Sequence, residues 1–282
     1  MLRVLKSGFY TTIQDVGRFG FRAFGVPVSG AMDSYSSQFA NALLGNSKSS
    51  ALIEMIMVGG IFQFMKPTMI AISGADMNAK LNNEPIEHNR IISINAEDIL
   101  SFGNASKGVR SYLAIKDGLM SERVLNSQSQ YKPITTNGKI YKNDILNYKA
   151  LAQEPQQLNA SVKYDASVLF NNVLDAYKGP EFNKLTEFHR HHLLSRELKI
   201  SKLNNRMAYQ LEPLIANDLR SILTAPVLPG TVQLTPSGNL IVLMRDCQTT
   251  GGYPRVLQLT EKAINCLSQK TTGNILKIRL KD

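Results

Sequence analysis

The chain has 282 residues, 43% of them hydrophobic and 19% charged, a composition typical of a globular protein that can bury one large core or two ordinary ones. Its net charge of +10 suits an acidic or phosphate-bearing partner, but the positive residues recur singly, which argues against a nucleic-acid partner. The most apolar stretch, residues 51–65, is interrupted by Glu54 and two glycines and is too short to span a bilayer, so no membrane partner is expected.

Cys247 and Cys266 are the only cysteines, which are too few for a disulfide framework and fit a reducing compartment. Residues 1–15 lack the apolar core of a signal peptide. Both observations predict a cytoplasmic protein. Cys266 lies in an apolar helical pattern and is predicted to be a buried small hydrophobe, whereas Cys247, which has no His beside it, is a weak candidate for a nucleophile.

A short strand, Arg3–Lys6, is predicted to open the chain and to lead into a glycine-rich stretch, Thr11–Asp33. In this stretch charged residues alternate with glycines and aromatics, and Asp15 and Arg18 stand out among them. Long glycine-rich loops are often functional, because glycine lets the backbone approach a ligand closely. A twisted hairpin in which the glycines only turn the chain is the alternative.

A helix is predicted to follow, with Asp33 or Ser34 as its N-cap and Gly45-Asn46 at its end. Ser29, Gly30 and Asp33 would then lie at a helix N-terminus, where free N–H groups can hold an anion; ordinary capping is the alternative. Short strands are predicted next, at 51–57, 61–65, 68–73, 91–94, 99–102 and 110–116. Their close spacing indicates antiparallel sheet, a barrel or a sandwich, and not alternating βαβ units.

The segment 118–160 has little pattern, and a domain boundary is predicted within 149–160, where Gln, Glu and Pro cluster. Beyond it the sequence predicts a strand at 162–164, a helix through Leu169 and Val173, strands at 231–234, 240–244 and 275–280, and a helix at 256–267. A zinc site is disfavoured because the nearby histidines lack a carboxylate or cysteine at ligand spacing. A solvated helix or strand edge is predicted instead for His189, His191 and His192.

These elements predict a mainly β fold with some α-helix (α+β). The predicted division is into an N-terminal β-rich subdomain, residues 1–150, and a C-terminal β-rich subdomain, residues 160–282. The glycine motifs do not follow the strand-to-helix plan of a dinucleotide site, and the sequence has no P-loop. A second glycine-rich stretch, Arg245–Arg255, again sets Asp and Arg beside paired glycines, two threonines and a tyrosine.

Neither a nucleophile–base pair nor a metal-binding motif stands out, so acids, arginines and glycines are the candidate functional groups. Arginine binds a carboxylate or phosphate through a bidentate fork, an aspartate can activate water or an amide, and the N–H groups of Thr250-Gly251-Gly252 can stabilise an oxyanion. This set suits a small carboxylate, amide or acyl-phosphate ligand. The candidate groups are Asp15, Arg18, Asp33, Glu54, Asp76, Arg206, Asp246, Thr249, Thr250, Tyr253 and Arg255.

Motifs in both halves of the chain resemble those of one protein family. They are TTIQDVGR (11–18), GVPVSGAMD (25–33), SGA (73–75), SYLA (111–114), Arg206-Met207 with Tyr209, and DCQTTGGYP (246–254). Because they run in family order along nearly the whole chain, the chain is identified as a member of that family. It includes the C subunit of the bacterial ATP-dependent 5-oxoprolinase, the antagonist of the sporulation-kinase inhibitor, allophanate hydrolase subunit 2, and part of the carboxyltransferase region of urea carboxylase.

The resemblance implies a cyclophilin-like β-barrel and membership of a complex that opens 5-oxoproline to L-glutamate with hydrolysis of ATP. It implies two partners, a B-like subunit related to the kinase inhibitor and an A-like subunit. It also implies that ATP is shared with those partners and that no metal is bound beyond the Mg²⁺ accompanying ATP. A regulatory protein that antagonises a B-like kinase inhibitor is one alternative, and a carboxyltransferase subunit that acts on urea or allophanate is another.

The resemblance and the chemistry together indicate the site residues. Asp15, Asp246 and Tyr253 are predicted to be catalytic. The residues predicted to bind substrate are Arg18, Ser29, Gly30, Asp33, Glu54, Arg206, Tyr209, Gln248, Thr249, Thr250, Gly251, Gly252 and Arg255. Asp15 and Arg18 are predicted to lie across one pocket from Asp246 and Tyr253, because both glycine-rich stretches depart from ordinary loop composition in the same way.

In the first half of the chain, a loop departs from the family pattern. Relatives usually carry a Gly-Gly pair and a small Ser/Thr turn where this chain has Asp117-Gly118 and Ser127-Gln128-Ser129-Gln130. No functional role is therefore carried over to residues 127–130.

Overall fold

The computed structural model describes residues 1–151 and 162–281, and the chain forms two compact units. The first comprises Met1–Arg18 and Ser29–Leu169, and the second comprises Phe19–Val28 and Phe170–Asp282. The first glycine-rich stretch therefore contributes to both units. The boundary predicted within 149–160 falls mostly on residues outside the described ranges, so the division at 150 and 160 stays a prediction.

The strands in the described part of the first unit, numbered in chain order, share an antiparallel arrangement in two sheets. They are β1 (Leu2–Lys6), β2 (Tyr10–Gln14), β3 (Leu52–Ile56), β4 (Ile61–Phe64), β5 (Thr68–Asp76), β6 (Lys80–Leu81), β7 (Glu84–Pro85), β8 (Ile91–Ile94), β9 (Ile99–Ser101), β10 (Lys107–Ile115), β11 (Leu119–Met120) and β12 (Ile145–Tyr148). The strands predicted between residues 51 and 116 are thus confirmed as β3, β4, β5, β8, β9 and β10. Two helices accompany them, α1 (Ser34–Leu43) and the short α2 (Ser167–Phe170).

The core of the first unit lies between its two sheets. One sheet has the strand order β11-β12-β1-β4-β9-β6-β7, and the other has the order β2-β3-β10-β5-β8. Leu2 and Phe62 from the first sheet and Ile53 and Leu113 from the second belong to one buried apolar cluster. Successive side chains of a strand point to opposite faces, so the neighbours of Ile53 lie on the other face of the five-stranded sheet.

Helix α1 covers that other face. Its Ala40, together with Leu44 just beyond the helix, packs against Leu52 and Ala71 of the sheet in a second buried cluster. The predicted cap is confirmed, because the Asp33 side chain accepts a hydrogen bond from Ser36 N at 3.0 Å. The helix therefore begins directly above the polar residues that share a face with Leu52.

The second unit is a closed barrel, which confirms the predicted mainly β fold with a barrel. Its strand order is β13-β20-β17-β18-β15-β14-β21, and the parallel pair β13–β21 belongs to it. The strands are β13 (Val173–Lys178), β14 (Leu198–Asn204), β15 (Ala208–Glu212), β17 (Thr231–Leu234), β18 (Leu240–Leu243), β20 (Arg255–Leu259) and β21 (Ile275–Leu280), with β16 (Ala225–Pro226) and β19 (Thr250–Gly251) in a separate pair. Helices α3 (Glu187–Ser195) and α4 (Glu261–Ser268) and the 3₁₀ turns Arg22–Phe24 and Phe182–Lys184 complete the unit.

Four local predictions are wrong. The helix predicted at 256–267 is strand β20 followed by α4, whose N-cap Thr260 accepts a hydrogen bond from Ala263 N. The helix predicted to run through Val173 ends at Phe170, because Val173 pairs with Lys277 in the barrel. Residues 162–164 form no strand, and residues 11–14 of the predicted loop lie in β2.

Other local predictions are confirmed. Cys266 is buried in α4, and all three histidines lie on the partly exposed helix α3. Within residues 1–151 and 162–281, every helix is too short or too polar to cross a membrane.

Candidate functional site

Asp15, predicted to be catalytic, lies just past β2 and is almost fully buried. Its Oδ1 accepts hydrogen bonds from Gly17 N (2.8 Å), Ser127 Oγ (2.7 Å) and Ser129 Oγ (2.6 Å), and its Oδ2 accepts one from Gln128 N (2.7 Å). Its own N–H donates to Ser129 Oγ at 3.0 Å. The carboxylate therefore joins the end of β2 to the loop 127–129, and four donors fix its orientation.

The contact between the loop 127–129 and Asp15 was not predicted from the sequence. Ser127 and Ser129 are both completely buried, and the N–H of Ser129 also donates to Ser127 Oγ at 3.1 Å. Small polar residues in a weakly patterned segment are typical of an exposed loop, so the sequence carried no signal for this burial. The pairing with Asp15 joins residues more than 110 positions apart.

Arg18 reaches the same loop from a different direction. The guanidinium Nη2 donates to the carbonyl oxygen of Ser129, and the whole residue is buried. Asp15 and Arg18 thus hold one residue, Ser129, through its hydroxyl and its carbonyl group. The predicted role of Arg18 in binding substrate stays a prediction.

The segment 29–31 packs on the strand end that carries Asp15. Ala31 N donates to Asp15 O at 2.9 Å. Gly30 has a φ of 89°, and a Cβ added there would lie 2.9 Å from the backbone C and O atoms of Val16, so this contact requires glycine. Ser29 also has a positive φ, 56°, and its buried Oγ has no hydrogen-bond partner among the described residues.

Asp33 is both the cap of α1 and a link to the sheet below. Its N–H donates to the Tyr112 hydroxyl at 2.8 Å, while its carboxylate receives the Ser36 N–H and hydroxyl. Asp33 is completely buried. Ordinary capping accounts for these contacts, and binding of substrate by Asp33 stays a prediction.

Glu54 lies beneath the start of α1 and is 1% exposed. Its Oε2 accepts a hydrogen bond from Met32 N at 2.8 Å, and Arg110 Nε lies 3.9 Å from its Oε1. Tyr112 is its direct neighbour on β10. Burial and the Glu54 and Asp33 carboxylates raise the pKa of Tyr112 well above its ordinary value, which keeps the phenol neutral. Arg110 and Tyr112 were not predicted as site residues, because strand register alone brings them to Glu54.

In the second unit, Arg206 and Asp246 form a bidentate ion pair. Arg206 Nε lies 2.7 Å from Asp246 Oδ2 and Nη2 lies 3.2 Å from Oδ1. The side chains are 8% and 10% exposed, and Asp246 N also donates to Arg206 O at 2.9 Å. The structure thus brings together two residues predicted separately as substrate-binding and catalytic. Both of these roles stay predictions.

Hydrogen bonds to its carbonyl groups hold the segment 248–252. Thr249 O accepts from Val227 N (3.1 Å) and from Arg22 Nη2 (3.2 Å), and Gly252 O accepts from Ile222 N (2.9 Å). Between them, Thr250 and Gly251 form β19, which pairs with Ala225–Pro226. The Gln248 side chain is half-buried. Stabilisation of an oxyanion by this segment stays a prediction.

The two tyrosines of the predicted site differ in accessibility. Tyr253 is 40% exposed and lines a cavity of about 500 Å³ together with Gln210 and Ser237. Tyr209 is 1% exposed, and its hydroxyl donates to Lys270 O at 3.4 Å. A ligand can therefore reach Tyr253 without rearrangement of the barrel, whereas Tyr209 supports the barrel from within.

Cys247 lies in an environment that favours the neutral thiol. It is completely buried beside Val227 and Leu243. Burial raises the pKa of the Cys247 thiol to about 11, although Arg22 beside it acts in the opposite direction. Because the thiolate is the nucleophilic form, Cys247 is poorly suited to covalent catalysis at neutral pH.

Arg255 is bound to Glu181, which was not predicted to be a site residue. Its Nε and Nη2 lie 3.0 and 2.9 Å from the two carboxylate oxygens of Glu181, and its backbone N donates to Glu181 Oε2 at 2.8 Å. Nη1 donates to Pro226 O at 3.0 Å. The fork predicted to clamp a substrate carboxylate thus holds a carboxylate of the chain itself.

This ion pair predicts an acid-dependent loss of stability. The Arg255 hydrogen bonds hold the pKa of Glu181 below its ordinary value of 4.5. A depressed folded-state pKa means that the stabilisation is complete above the unfolded pKa and is lost as pH falls through the folded pKa. Glu181→Gln should therefore lower the free energy of unfolding by about 1–3 kcal/mol at pH 7, and the difference from the parent chain should shrink below pH 4.5.

The control is Asp175→Asn, which removes another carboxylate of the barrel whose partner, Arg279, is 66% exposed. Its effect at pH 7 should be smaller because solvent screens this pair. Urea unfolding of the three proteins from pH 7 to pH 3 measures both differences. A Glu181→Gln difference that grows on acidification contradicts the assignment.

The predicted site residues fall into both units. Asp15 and Arg18 belong to the first and Asp246 and Tyr253 to the second, so the pocket that they are predicted to share stays a prediction. Asp76 receives the Asn78 N–H at 2.9 Å and lies 3.5 Å from His88 Nε2. No group of three or more His, Cys, Asp and Glu side chains in the described part of the chain could hold a metal ion.

Comparison with known proteins places the chain among carboxyltransferase-like proteins. The model of the family described as carboxyltransferase domain, subdomain A and B, matches residues 24–280. The C subunit of the 5-oxoprolinase of Escherichia coli (strain K12) is 30% identical over 278 residues, which cover 97% of this chain and 89% of that protein.

Solved structures agree with this result. The crystal structure of TTHA0988 is similar with a TM-score of 0.88 at 25% identity, over all of this chain and 55% of that one. The urea carboxylase of Kluyveromyces lactis is similar with a TM-score of 0.86 at 26% identity, over 98% of this chain and 27% of that one. The chain thus spans about half of the first and about a quarter of the second. Together with the motifs at both ends of the chain, these matches show that it belongs to the family of carboxyltransferase domains, subdomains A and B.

Proposed function

We propose that the chain is the C subunit of an ATP-dependent 5-oxoprolinase complex, which opens 5-oxoproline to L-glutamate with A-like and B-like partner subunits. The observation that carries this proposal is the similarity to the C subunit of the Escherichia coli 5-oxoprolinase, which extends over nearly the full length of both chains. The similarity to urea carboxylase, by contrast, covers only about a quarter of that protein.

The chemistry of the described residues supports a site completed by partners. Arg206 and Arg255 each hold a carboxylate of the chain, and Arg18 holds a backbone carbonyl group. The three arginines predicted to bind substrate are thus engaged within the chain, while Tyr253 is accessible from solvent. ATP and its Mg²⁺ are therefore proposed to be ligands shared with the A-like and B-like subunits. None of the residues described above is proposed to bind them.

Reconstitution tests the proposal. The isolated chain should neither hydrolyse ATP nor open 5-oxoproline, and it should bind the B-like subunit stably. Addition of the A-like and B-like subunits should give L-glutamate formation coupled to ATP hydrolysis. Full activity of the single chain, or a purified complex of all three proteins that consumes no 5-oxoproline, contradicts the proposal.

A carboxyltransferase subunit that acts on urea or allophanate is the second candidate, and the similarity to the Kluyveromyces lactis urea carboxylase favours it. The same complex should then consume urea or allophanate in the presence of a carboxylated biotin carrier and should leave 5-oxoproline intact. Stable binding of the B-like subunit without turnover of any of these substrates would favour the regulatory alternative instead.

A further inference from the structure

A cavity of about 250 Å³ lies in the first unit, behind the loop that holds Asp15. Its lining includes Ile13 of β2, Gln128 and Gln130, and residues of β11 and β12. All of these residues belong to the first unit. The cavity is distinct from the residues predicted to bind substrate, none of which lines it.

The lining of this cavity is acidic, although the chain as a whole carries a net charge of +10. Glu122 and Asp144 contribute carboxylates, and the other polar lining side chains are amides and hydroxyls. Both oxygens of Glu122 already accept hydrogen bonds at 3.0 Å, one from the Thr136 N–H and one from the Thr136 hydroxyl, so Glu122 acts on a ligand through its charge. No Lys, Arg or His is among the described residues that line the cavity. Opposite charges attract and like charges repel across such short distances, so the lining favours a cation and disfavours an anion.

Two oxygen atoms of the lining, Gln128 Oε1 and Asp144 Oδ1, are placed to accept hydrogen bonds from a ligand. Gln128 Nε2 donates to Leu119 O (2.8 Å) and Ser121 Oγ (3.1 Å), which fixes the amide and leaves its Oε1 as an acceptor. Asp144 uses Oδ2 for the Tyr141 N–H (2.8 Å), and its Oδ1 has no hydrogen bond within the described residues. An ammonium group, with three N–H donors and no acceptor, is complementary to such a set.

The same cavity is also lined by exposed apolar side chains. Met120 is 64% exposed and Ile145 is 46% exposed, and both line the cavity. A ligand that combines an ammonium group with a short alkyl chain would cover this apolar surface while its charged end meets the carboxylates.

We propose that this cavity is a binding site for small aliphatic amines. The site is linked physically to Asp15, because Gln128 donates its backbone N–H to Asp15 Oδ2 at 2.7 Å while its side chain lines the cavity. An amine bound there contacts the residue that orients the predicted catalytic carboxylate. The binding itself does not depend on the proposed 5-oxoprolinase function, since it is a property of the single chain.

Equilibrium dialysis of the full chain against 1,4-diaminobutane tests the site, with succinate as the anion of the same chain length. The diamine should bind saturably, and succinate should not bind. Met120→Lys adds a positive charge at the rim without removing a hydrogen bond of the fold, and it should weaken diamine binding at least tenfold. Met120→Gln, which is uncharged, should change the affinity much less.

The matched control is Met57→Lys, which adds the same charge at an exposed methionine of the same unit that does not line the cavity. It should leave diamine binding unchanged. The proposal is overturned if the parent chain binds no diamine, if succinate binds as well as the diamine, or if Met57→Lys weakens binding as much as Met120→Lys does.

Discussion

Asp15→Asn is expected to lower the free energy of unfolding by about 2–4 kcal/mol, because it breaks a buried network of charge-assisted hydrogen bonds. The carboxylate accepts four hydrogen bonds, and two of the donors are backbone N–H groups that cannot turn away. An amide presents one oxygen and one NH₂ group. If the oxygen replaces Oδ1, the NH₂ group faces the partly buried Gln128 N–H, which then loses its acceptor.

Chemical unfolding of the isolated chain measures this loss. Asp117→Asn is the control, since Asp117 is a half-exposed residue of the same unit whose lysine partners lie at 3.8 Å, and its replacement should change stability by less than about 0.5 kcal/mol. Equal stability of Asp15→Asn and the parent chain would show that the 127–129 loop does not depend on this carboxylate.

The same variant also bears on the catalytic prediction. A purely structural Asp15 predicts that the folded fraction of Asp15→Asn, assembled with its partners well below its Tm, keeps its specific activity. A catalytic Asp15 predicts loss of activity in that folded fraction as well. Ser129→Ala separates the effects further, because it removes one donor to Asp15 but keeps the carboxylate.

Gly30→Ala is expected to destabilise the first unit by about 3 kcal/mol or more. Positive φ costs a residue with a Cβ about 1–2 kcal/mol, and Gly30 has a φ of 89°. The added Cβ would also meet the backbone of Val16 at 2.9 Å, and overpacking against atoms that cannot move aside typically costs about 1–3 kcal/mol. Because Ala31 N donates to Asp15 O next to this contact, the strain should also displace the segment that leads to Asp33.

Gly45→Ala measures the free-energy cost of the positive φ alone, without a clash against backbone atoms. Gly45 lies in the same unit with a φ of 63°, and the nearest atom to an added Cβ is the end of the flexible Lys116 side chain at 3.9 Å. Its replacement should cost only about 1–2 kcal/mol. Thermal and urea unfolding of both variants give the comparison, and equal losses would mean that the Val16 contact relaxes without cost.

Strands were largely predictable from the sequence, because alternation of apolar and polar residues is a local property with a period of two. In β3, Ile53 and Met55 enter the core while Leu52 and Glu54 face the helix. The same criterion failed at 256–267, because a short run of apolar residues fits a strand and a helix equally well. Pairing of β20 with β13 and with β17 decides that segment, and neither partner is adjacent in the sequence.

The mainly β class, the capped helix after Asp33 and the family membership could be predicted from the sequence, because alternation, caps and the order of motifs are local properties of the chain. The partners of the charged residues became apparent in the folded structure alone. Asp15 meets serines 112 and 114 positions away, and Arg255 meets Glu181 at a separation of 74. The partner of a charged residue cannot be read from the neighbouring sequence. The group that comes within hydrogen-bond distance is set by the register and closure of strands that are far apart in the chain.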